Sequence, residues 1–395
     1  MNQESNRCLL CKKAKCMSAC PVRTNVPEAM KLYKEGKYEE AAKLLFDNNP
    51  FSAITSQVCD WKRLCYGHCI LNARNVPVRW YEIEMELSES YLENVSIAAG
   101  KEWEGRKVAI AGAGPAGITA AILLREKGFE TTIFDDNPEI GGVLRYGIPQ
   151  FRLDRKYLDQ YVRILAEAGV IFKGNVKVGK DISVDDLGRN FDAVIIATGA
   201  ILPRKLDIPG ENNPNVIYAL DYLKNPSSYR LGKKVIVIGG GNVTMDACRT
   251  AKREGHETWV YYRKTFENMP ANSAEIAEAQ AEGINFRLFE VPVEIKSGTV
   301  VMRKCENITN PDGSISTKMI DGSDEEVPYD TLIIAISAKV DRSIIGTSRA
   351  MGNVFSAGDF RLGARTVVEA VESAKTAIAE MTDYLNARQK KDTSF

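Results

Sequence analysis

The spacing of apolar residues changes character once, near residue 105. Before that point they recur every three to four positions. Pro27 opens a run with Ala29, Leu32 and Tyr33 on one face, Gly36 interrupts it, and Tyr38, Ala41, Ala42 and Leu45 repeat the spacing. This period predicts helices with one buried face, and no strand stands out. From Lys107 short β-rich runs alternate with helix. KVAIAG predicts a strand, AGPAGITAAILLREKG a helix that ends at Gly128, and ETTIFD a second strand. The order is a βαβ unit. The same grammar returns at Lys234, 127 residues later, as VIVIG, NVTMDACRTAKREG and TWVYY. Two such units predict an α/β protein with two related dinucleotide-binding lobes behind a helical N-terminal region. No short repeat interrupts the pattern, and the tail ARQKKDTSF reads as polar and frayed.

Composition narrows the class without choosing a chemistry. A chain of 395 residues is long enough for two or three domains. With 52 Lys+Arg against 52 Asp+Glu, no overall field favours nucleic acid or an anionic membrane. No run approaches the ~20 apolar residues of a spanning helix. The start MNQESNRCLLCKK lacks the apolar core of a signal peptide, so a cytoplasmic protein is expected. The cysteines are unevenly spread: of nine, seven lie between Cys8 and Cys69, while Cys248 and Cys305 stand alone.

Each βαβ unit carries a glycine loop between its first strand and its helix. In the first, Gly112 permits the tight turn, Gly114 lets the backbone approach a pyrophosphate, and Gly117 lets the helix pack on the sheet; Pro115 and Ala116 open that helix. Asp135 ends the next strand, where a carboxylate can accept hydrogen bonds from a ribose. In the second loop Gly239, Gly240 and Gly241 are followed by Asn242 and Val243, and Thr244 stands at the third glycine position. At the end of its next strand Tyr262 replaces the acid, and Arg263 and Lys264 come directly after it. Two cations there suit a 2′-phosphate, which favours NADPH. Two nucleotide lobes imply hydride transfer between a nicotinamide and a flavin, chemistry that needs orientation rather than an acid–base dyad. No catalytic residue is expected, and His68 and His256 are in no nucleophile–base arrangement.

The cysteine spacing is Cys8-x2-Cys11-x4-Cys16-x3-Cys20-Pro21, then Cys59-x5-Cys65-x3-Cys69. An odd count without a secretion signal disfavours disulfides. Structural zinc remains an alternative, although seven thiols match a four-thiolate site poorly. A CxxC run ending in Cys-Pro resembles a ferredoxin motif, and two 4Fe-4S clusters would need one ligand that is not cysteine.

The residues RCLLCKKAKCMSACP (7–21), the Cys59/Cys65/Cys69 set, VAIAGAGPAGITAA (108–121), GGVLRYGIPQFRLD (141–154), VIVIGGGNVTMDACRTA (235–251), YRKTFENMPA (262–271) and VFSAGDFRLGARTVVEAV (354–371) occur in one order. In that order they resemble the electron-input module shared by the glutamate synthase small subunit and dihydropyrimidine dehydrogenase. The resemblance implies two Rossmann-like, glutathione-reductase-like lobes preceded by an α-helical iron–sulfur domain. The implied domains are 1–103 for two 4Fe-4S clusters, 104–226 with 338–395 for FAD, and 227–337 for NAD(P)H. It implies one cluster on Cys8, Cys11, Cys16 and Cys69, and another on Cys20, Cys59, Cys65 and Glu84. It also implies FAD contacts at Gly142, Val143, Arg152, Val178, Gly358, Asp359, Arg365 and Thr366, and a nicotinamide side at Ala335 and Ser337. Thr244 departs from the small apolar residue usual in the family, the crossing between Asp341 and Val354 is short, and Pro270 stands where another arginine for the nicotinamide phosphate is expected.

A disulfide reductase would need a cysteine pair facing its flavin, and Cys248 and Cys305 are single. Electrons are therefore expected to pass between NAD(P)H, FAD and the clusters, and on to or from a ferredoxin-like protein or a catalytic partner subunit in a hetero-oligomer. The alternative is a pyridine-nucleotide flavoenzyme with a structural zinc domain. Around the first cysteines Arg7, Lys12, Lys13, Lys15 and Arg23 face one acid, Glu4, a local excess suited to an acidic partner.

Overall fold

The structure, a computed structural model, describes residues 3–345 and 352–392, with the side chains of 391 and 392 left aside. It divides into two compact units. One comprises Met1–Arg145, Gln150–Ala200 and Val340–Phe395; the other comprises Tyr146–Pro149 and Ile201–Lys339.

The first unit begins with helices. Val26–Lys34 starts at Asn25, whose side chain accepts from the Glu28 N–H, with Pro27 in the first turn. Tyr38–Asn48, Ser52–Val58 and Trp80–Asn94 come next. Their shared core contains Met30, Tyr33, Leu45, Ile83 and Leu87, and the half-buried Cys8, Cys16, Cys65 and Cys69 pack against it. The N-terminal segment is stapled to this core by Glu4. Its buried carboxylate accepts from the Arg7 guanidinium at 2.7 Å and from the Arg79 N–H at 2.9 Å.

The rest of the first unit is a five-stranded parallel sheet in the order Val354–Ser356, Ala193–Ile196, Lys107–Ala111, Glu130–Phe134, Ile171–Lys173. Val108 to Ala111 and Ala193 to Ile196 are fully buried, as strands covered on both faces must be. The Pro115–Lys127 and Val367–Asp392 helices pack on each other. Tyr161 joins the helical region to this sheet region. It is fully buried, stacks on Phe51 at 4.4 Å, and donates to the Pro50 carbonyl at 2.6 Å.

The second unit repeats the sheet as Val216–Tyr218, Thr331–Ile334, Lys234–Ile238, Glu257–Tyr262, Asn285–Leu288, again parallel throughout. Its first two βαβ strands start 127 residues after Lys107 and Glu130. An antiparallel insertion runs from Glu290–Ile295 through Thr299–Thr309 and Ile315–Met319 to Glu325–Pro328. The Asn242–Arg253 helix is tied to the Ser273–Ala281 helix by Arg249, which is buried against Glu275 at 2.6 Å and Glu282 at 2.9 Å.

Two expectations need correction, and a third falls partly outside the described residues. The boundary at 226 falls inside the second unit, because Val216–Tyr218 is the edge strand of its sheet. The polar tail is helical to Asp392, since Ala, Arg, Gln and Lys there all propagate a helix already nucleated by packing. The third, a short crossing between Asp341 and Val354, is not corrected, since about half of that stretch lies outside the described residues.

Removing the Tyr161 hydroxyl leaves the buried Pro50 carbonyl without its donor. Tyr161→Phe is therefore expected to destabilise the first unit by about 1–3 kcal/mol in urea unfolding, while keeping the ring stack on Phe51.

Candidate functional site

The first glycine loop joins the Lys107–Ala111 strand to the Pro115–Lys127 helix. Gly112 has φ +109°, and a Cβ there would lie 2.4 Å from the Ala197 carbonyl oxygen, so the turn accepts only glycine. Gly114, the N-cap, is different: a Cβ there would meet a single atom, at 3.9 Å. Among the described residues that atom, Gly142 Cα, is the one within 4 Å of it, and the N–H groups of the first helical turn have no intrahelical acceptor. A pyrophosphate fits such a cradle. Asp135 stands at its edge and its carboxylate accepts from the Ala113 N–H at 2.6 Å and the Asn137 N–H at 2.8 Å. Burial raises the Asp135 pKa against these hydrogen bonds.

Three further segments surround the loop. Gly142 packs so closely that a Cβ would come within 2.7 Å of Gly114 Cα, and exposed Val143 is next in the chain. Gly358, at φ +61°, abuts Ala116, and its N–H donates to Ser373 Oγ at 3.0 Å. Asp359, pushed up to about 6 by burial, accepts from the Arg365 N–H at 3.1 Å. Thr366 and Glu369 then form a reciprocal cap on the Val367–Asp392 helix: the Thr366 N–H and hydroxyl donate to the Glu369 carboxylate at 2.9 and 2.6 Å. Arg365 and Thr366 are exposed, and Arg152 is half-buried. Val178 turns its side chain into the core with Phe134 and Val194, which leaves its backbone for any ligand contact.

The second loop is built differently from what its spacing suggests. Thr244 is fully buried; its hydroxyl accepts from the Gly241 N–H and donates to the Ala335 carbonyl, both at 3.2 Å. What looks like a degraded fingerprint is a hydroxyl tie between the loop and the end of the Thr331–Ile334 strand. Asn242 accepts from the Asn272 N–H at 2.8 Å, and Val243 packs on the core. Gly239 turns at φ +148°, and Gly241 is as open as Gly114, with only Pro270 within 4 Å of a Cβ among the described residues. Tyr262 lies against Gly240, its hydroxyl donating to the Asn268 carbonyl at 2.8 Å. Ser337 is exposed at φ +93°, and its carbonyl accepts from the Arg204 N–H. The two cations part company: Lys264 donates to the Ile315 carbonyl, whereas exposed Arg263 makes no ion pair among the described residues.

None of the nine cysteines is in a disulfide. The seven N-terminal ones fall into two electrostatic groups. Burial pushes the Cys16 thiol up to about 11, with Cys69, Cys8 and Cys11 adding to the shift. Cys8 is raised by burial and likewise feels Cys11 and Cys69. Cys59 and Cys65 are raised by burial, then by Glu84 and by Cys20. Cys65 also feels Cys16, so the groups are neighbours. Glu84 is buried, and desolvation lifts it to about 8 against a hydrogen bond from Trp80. It lines a cavity with Cys20, Cys59, Cys65, Trp61 and Val368. A mononuclear zinc would draw its donors to about 2.1–2.3 Å of one point. Among the described residues, no three His, Cys, Asp or Glu groups are disposed to hold one ion.

Sequence spacing missed three of these features. Val368 was hidden because its partners lie some 300 residues upstream. Trp61 reads as one more aromatic. The Thr244 tie had one visible signal, a hydroxyl at a position that must be buried.

Comparison with known proteins agrees with this arrangement. Residues 106–380 match the family model described as pyridine nucleotide-disulphide oxidoreductase, and residues 1–95 match dihydropyrimidine dehydrogenase domain II, 4Fe-4S cluster. The glutamate synthase [NADPH] small chain of Azospirillum brasilense is 33% identical, over 98% of this chain and 89% of that protein. The NADP(+)-dependent formate dehydrogenase subunit beta of Moorella thermoacetica is 31% identical, over 94% of this chain and 60% of that protein. In fold, FprA of Mycobacterium tuberculosis in complex with NADPH aligns with TM-score 0.60 at 19% identity, over 72% of this chain and 86% of that one.

Thr244→Val would leave the Gly241 N–H and the Ala335 carbonyl unpaired, at an expected cost of about 1–3 kcal/mol in urea unfolding of the second unit. Thr244→Ser keeps the hydroxyl and is expected to recover most of that loss.

Proposed function

The chain belongs to the pyridine nucleotide-disulphide oxidoreductase family, within the glutamate synthase small-chain group, and from that premise we propose that it is an electron-transfer subunit working between NADPH and a redox partner. It is a flavin- and iron–sulfur-dependent oxidoreductase. Despite the family's name no dithiol chemistry is assigned to it: Cys248 and Cys305 are buried and single, bonded to the carbonyls of Met245 and Arg263. When bound, FAD exchanges a hydride with the nicotinamide and single electrons with 4Fe-4S clusters, which lets a two-electron donor serve a one-electron acceptor.

The residues divide that work. Gly112, Gly114, Pro115 and Ala116 would hold the FAD pyrophosphate on the helix N-terminus, with Asp135 at the ribose. Gly142, Val143, Arg152, Val178, Gly358, Asp359, Arg365 and Thr366 would line the remainder. Gly239, Gly241, Asn242 and Val243 would cradle the nicotinamide nucleotide, with Ala335 and Ser337 on its nicotinamide side. Of the two cations, Arg263 would meet the 2′-phosphate, while Lys264 anchors the insertion through Ile315. Cys8, Cys11, Cys16 and Cys69 would hold one cluster, and Cys20, Cys59, Cys65 and Glu84 the other.

The observation that carries this reading is the course of residues 358–368. Gly358 abuts Ala116 of the flavin loop, and Val368, ten residues on, lines the cavity of Cys20, Cys59, Cys65 and Glu84. One short segment thus borders both sites. Glu84 supports it too, as a buried carboxyl facing a cavity whose described lining holds no cation, a costly placement unless positive charge arrives there. The partner would be a ferredoxin-like protein or a catalytic subunit. The variety among relatives, a glutamate synthase chain and a formate dehydrogenase subunit, fits an input module reused with different outputs.

Iron, sulfide and flavin analysis of the intact chain tests the reading, and zinc without iron would overturn it. Glu84→Ala is expected to lose about half of the iron, with Glu84→Gln retaining most of it. For nucleotide choice, Arg263→Ala is expected to lower kcat/KM for NADPH by about 10- to 100-fold with little change for NADH, in parallel dye-reduction assays. An equal loss with both nucleotides would remove Arg263 from phosphate recognition.

A further inference from the structure

The residues around the first thiol group are not explained by binding a cluster. The segments 8–24 and 59–79, which hold all seven cysteines, contain eight cations and one acid, Asp60, in a chain whose totals are equal. Internal pairing accounts for little of this. Arg63 meets Asp60, and Arg79 meets Glu4 and Glu82. Lys12, Lys13, Lys15, Arg23, Lys62 and Arg74 are exposed and make no ion pair among the described residues.

Apolar side chains are exposed in the same place. Leu9 is 61% exposed, Ile70 54% and Val76 48%. Leu9 follows Cys8 and Ile70 follows Cys69, two cysteines packed against the same buried core, and one residue spans only about 3.8 Å. Val76 joins them through its carbonyl, which accepts from the guanidinium of Arg7, the residue before Cys8. Lys12 adjoins Cys11 and Lys15 adjoins Cys16, and Cys16 packs on that same core. Apolar contacts beside the thiols, set among uncompensated cations, have the make-up of a transient protein interface.

We propose that Leu9, Ile70 and Val76, with Lys12, Lys13 and Arg74 around them, form the docking surface for an acidic one-electron carrier protein of the ferredoxin class. The proposal rests on the electron-transfer reading above and adds the place and charge of the partner. Overall, one NADPH gives NADP+, one proton and two electrons, so two carrier molecules are reduced by one electron each. The acidic face of the carrier pairs with the cations, which steers the encounter. The apolar patch excludes water beside Cys8 and Cys69, where the distance to the carrier is shortest.

The test uses the full chain with its cofactors and a purified plant-type [2Fe–2S] ferredoxin as the acidic probe, with cytochrome c as a basic probe and heparin as a polyanion. Binding of ferredoxin is expected to weaken about tenfold or more between low and physiological salt. Lys12→Glu/Lys13→Glu/Arg74→Glu is expected to weaken it at least tenfold at low salt, and Leu9→Ala/Ile70→Ala about fivefold at any salt. Lys318→Glu, on the insertion, serves as the neutral control. Iron content and NADPH-driven reduction of a small high-potential quinone or tetrazolium dye are expected to stay within twofold in every variant. The surface is overturned if the triple reversal changes ferredoxin affinity less than twofold, if cytochrome c binds more tightly than ferredoxin, or if the reversal weakens heparin alone. Absence of NADPH-driven dye reduction in the unaltered protein would instead overturn the electron-transfer reading itself, so the two failures are distinguishable.

Discussion

The helical N-terminal region is built around a burial that is unfavourable by itself. Cys59, Cys65 and Glu84 are drawn out of water into one cavity, and desolvation raises the pKa of each. As the proposed ligands of a cluster these groups would have to be deprotonated, so their burial would link folding to loading, the free energy of binding offsetting its cost. The surrounding fold carries that cost through ordinary means. The Met30, Tyr33, Leu45 and Ile83 core closes behind the thiols, and Glu4 pins the segment before Cys8 to the start of the helix that bears Glu84.

The same constraint explains why the C-terminal helix belongs to the first unit. Parallel strands must be covered on both faces, and the Val367–Asp392 helix helps to meet that need by packing on the Pro115–Lys127 helix. Its first turn is fixed by the Thr366–Glu369 cap, so Val368 stands where it closes the cavity of the second thiol group. The segment 358–368, which runs into that capped helix end, borders both the first glycine loop and this cavity, each hundreds of residues upstream in the sequence.

Much of this was legible in the sequence because it depends on local rules. Strand, glycine turn and helix must come in order, and the 127-residue spacing survives because both units build the same first βαβ turn. What escaped depends on tertiary partners. Val216–Tyr218 pairs with a strand more than a hundred residues downstream, so composition could not assign it to the second sheet. The separation of Arg263 from Lys264 is set by an insertion hairpin that brings Ile315 to the lysine. Thr244 misled because a glycine fingerprint describes what the backbone needs and is silent on a side chain that supplies its own hydrogen bonds.

The two lobes share a sheet order, and their difference comes down to the residues at the end of one strand. In the first unit the strand leads into Asp135, whose carboxylate is held by two backbone N–H groups at the edge of the glycine loop. In the second unit the equivalent place is taken by Tyr262, whose ring lies against Gly240 and is locked by Asn268. An acid there would repel a phosphate, whereas a neutral ring with an exposed guanidinium beyond it would not. The fold is therefore indifferent to which dinucleotide each lobe takes. On the proposed assignment, selectivity would reside at a strand end, in the sign of the charge that the nucleotide meets there.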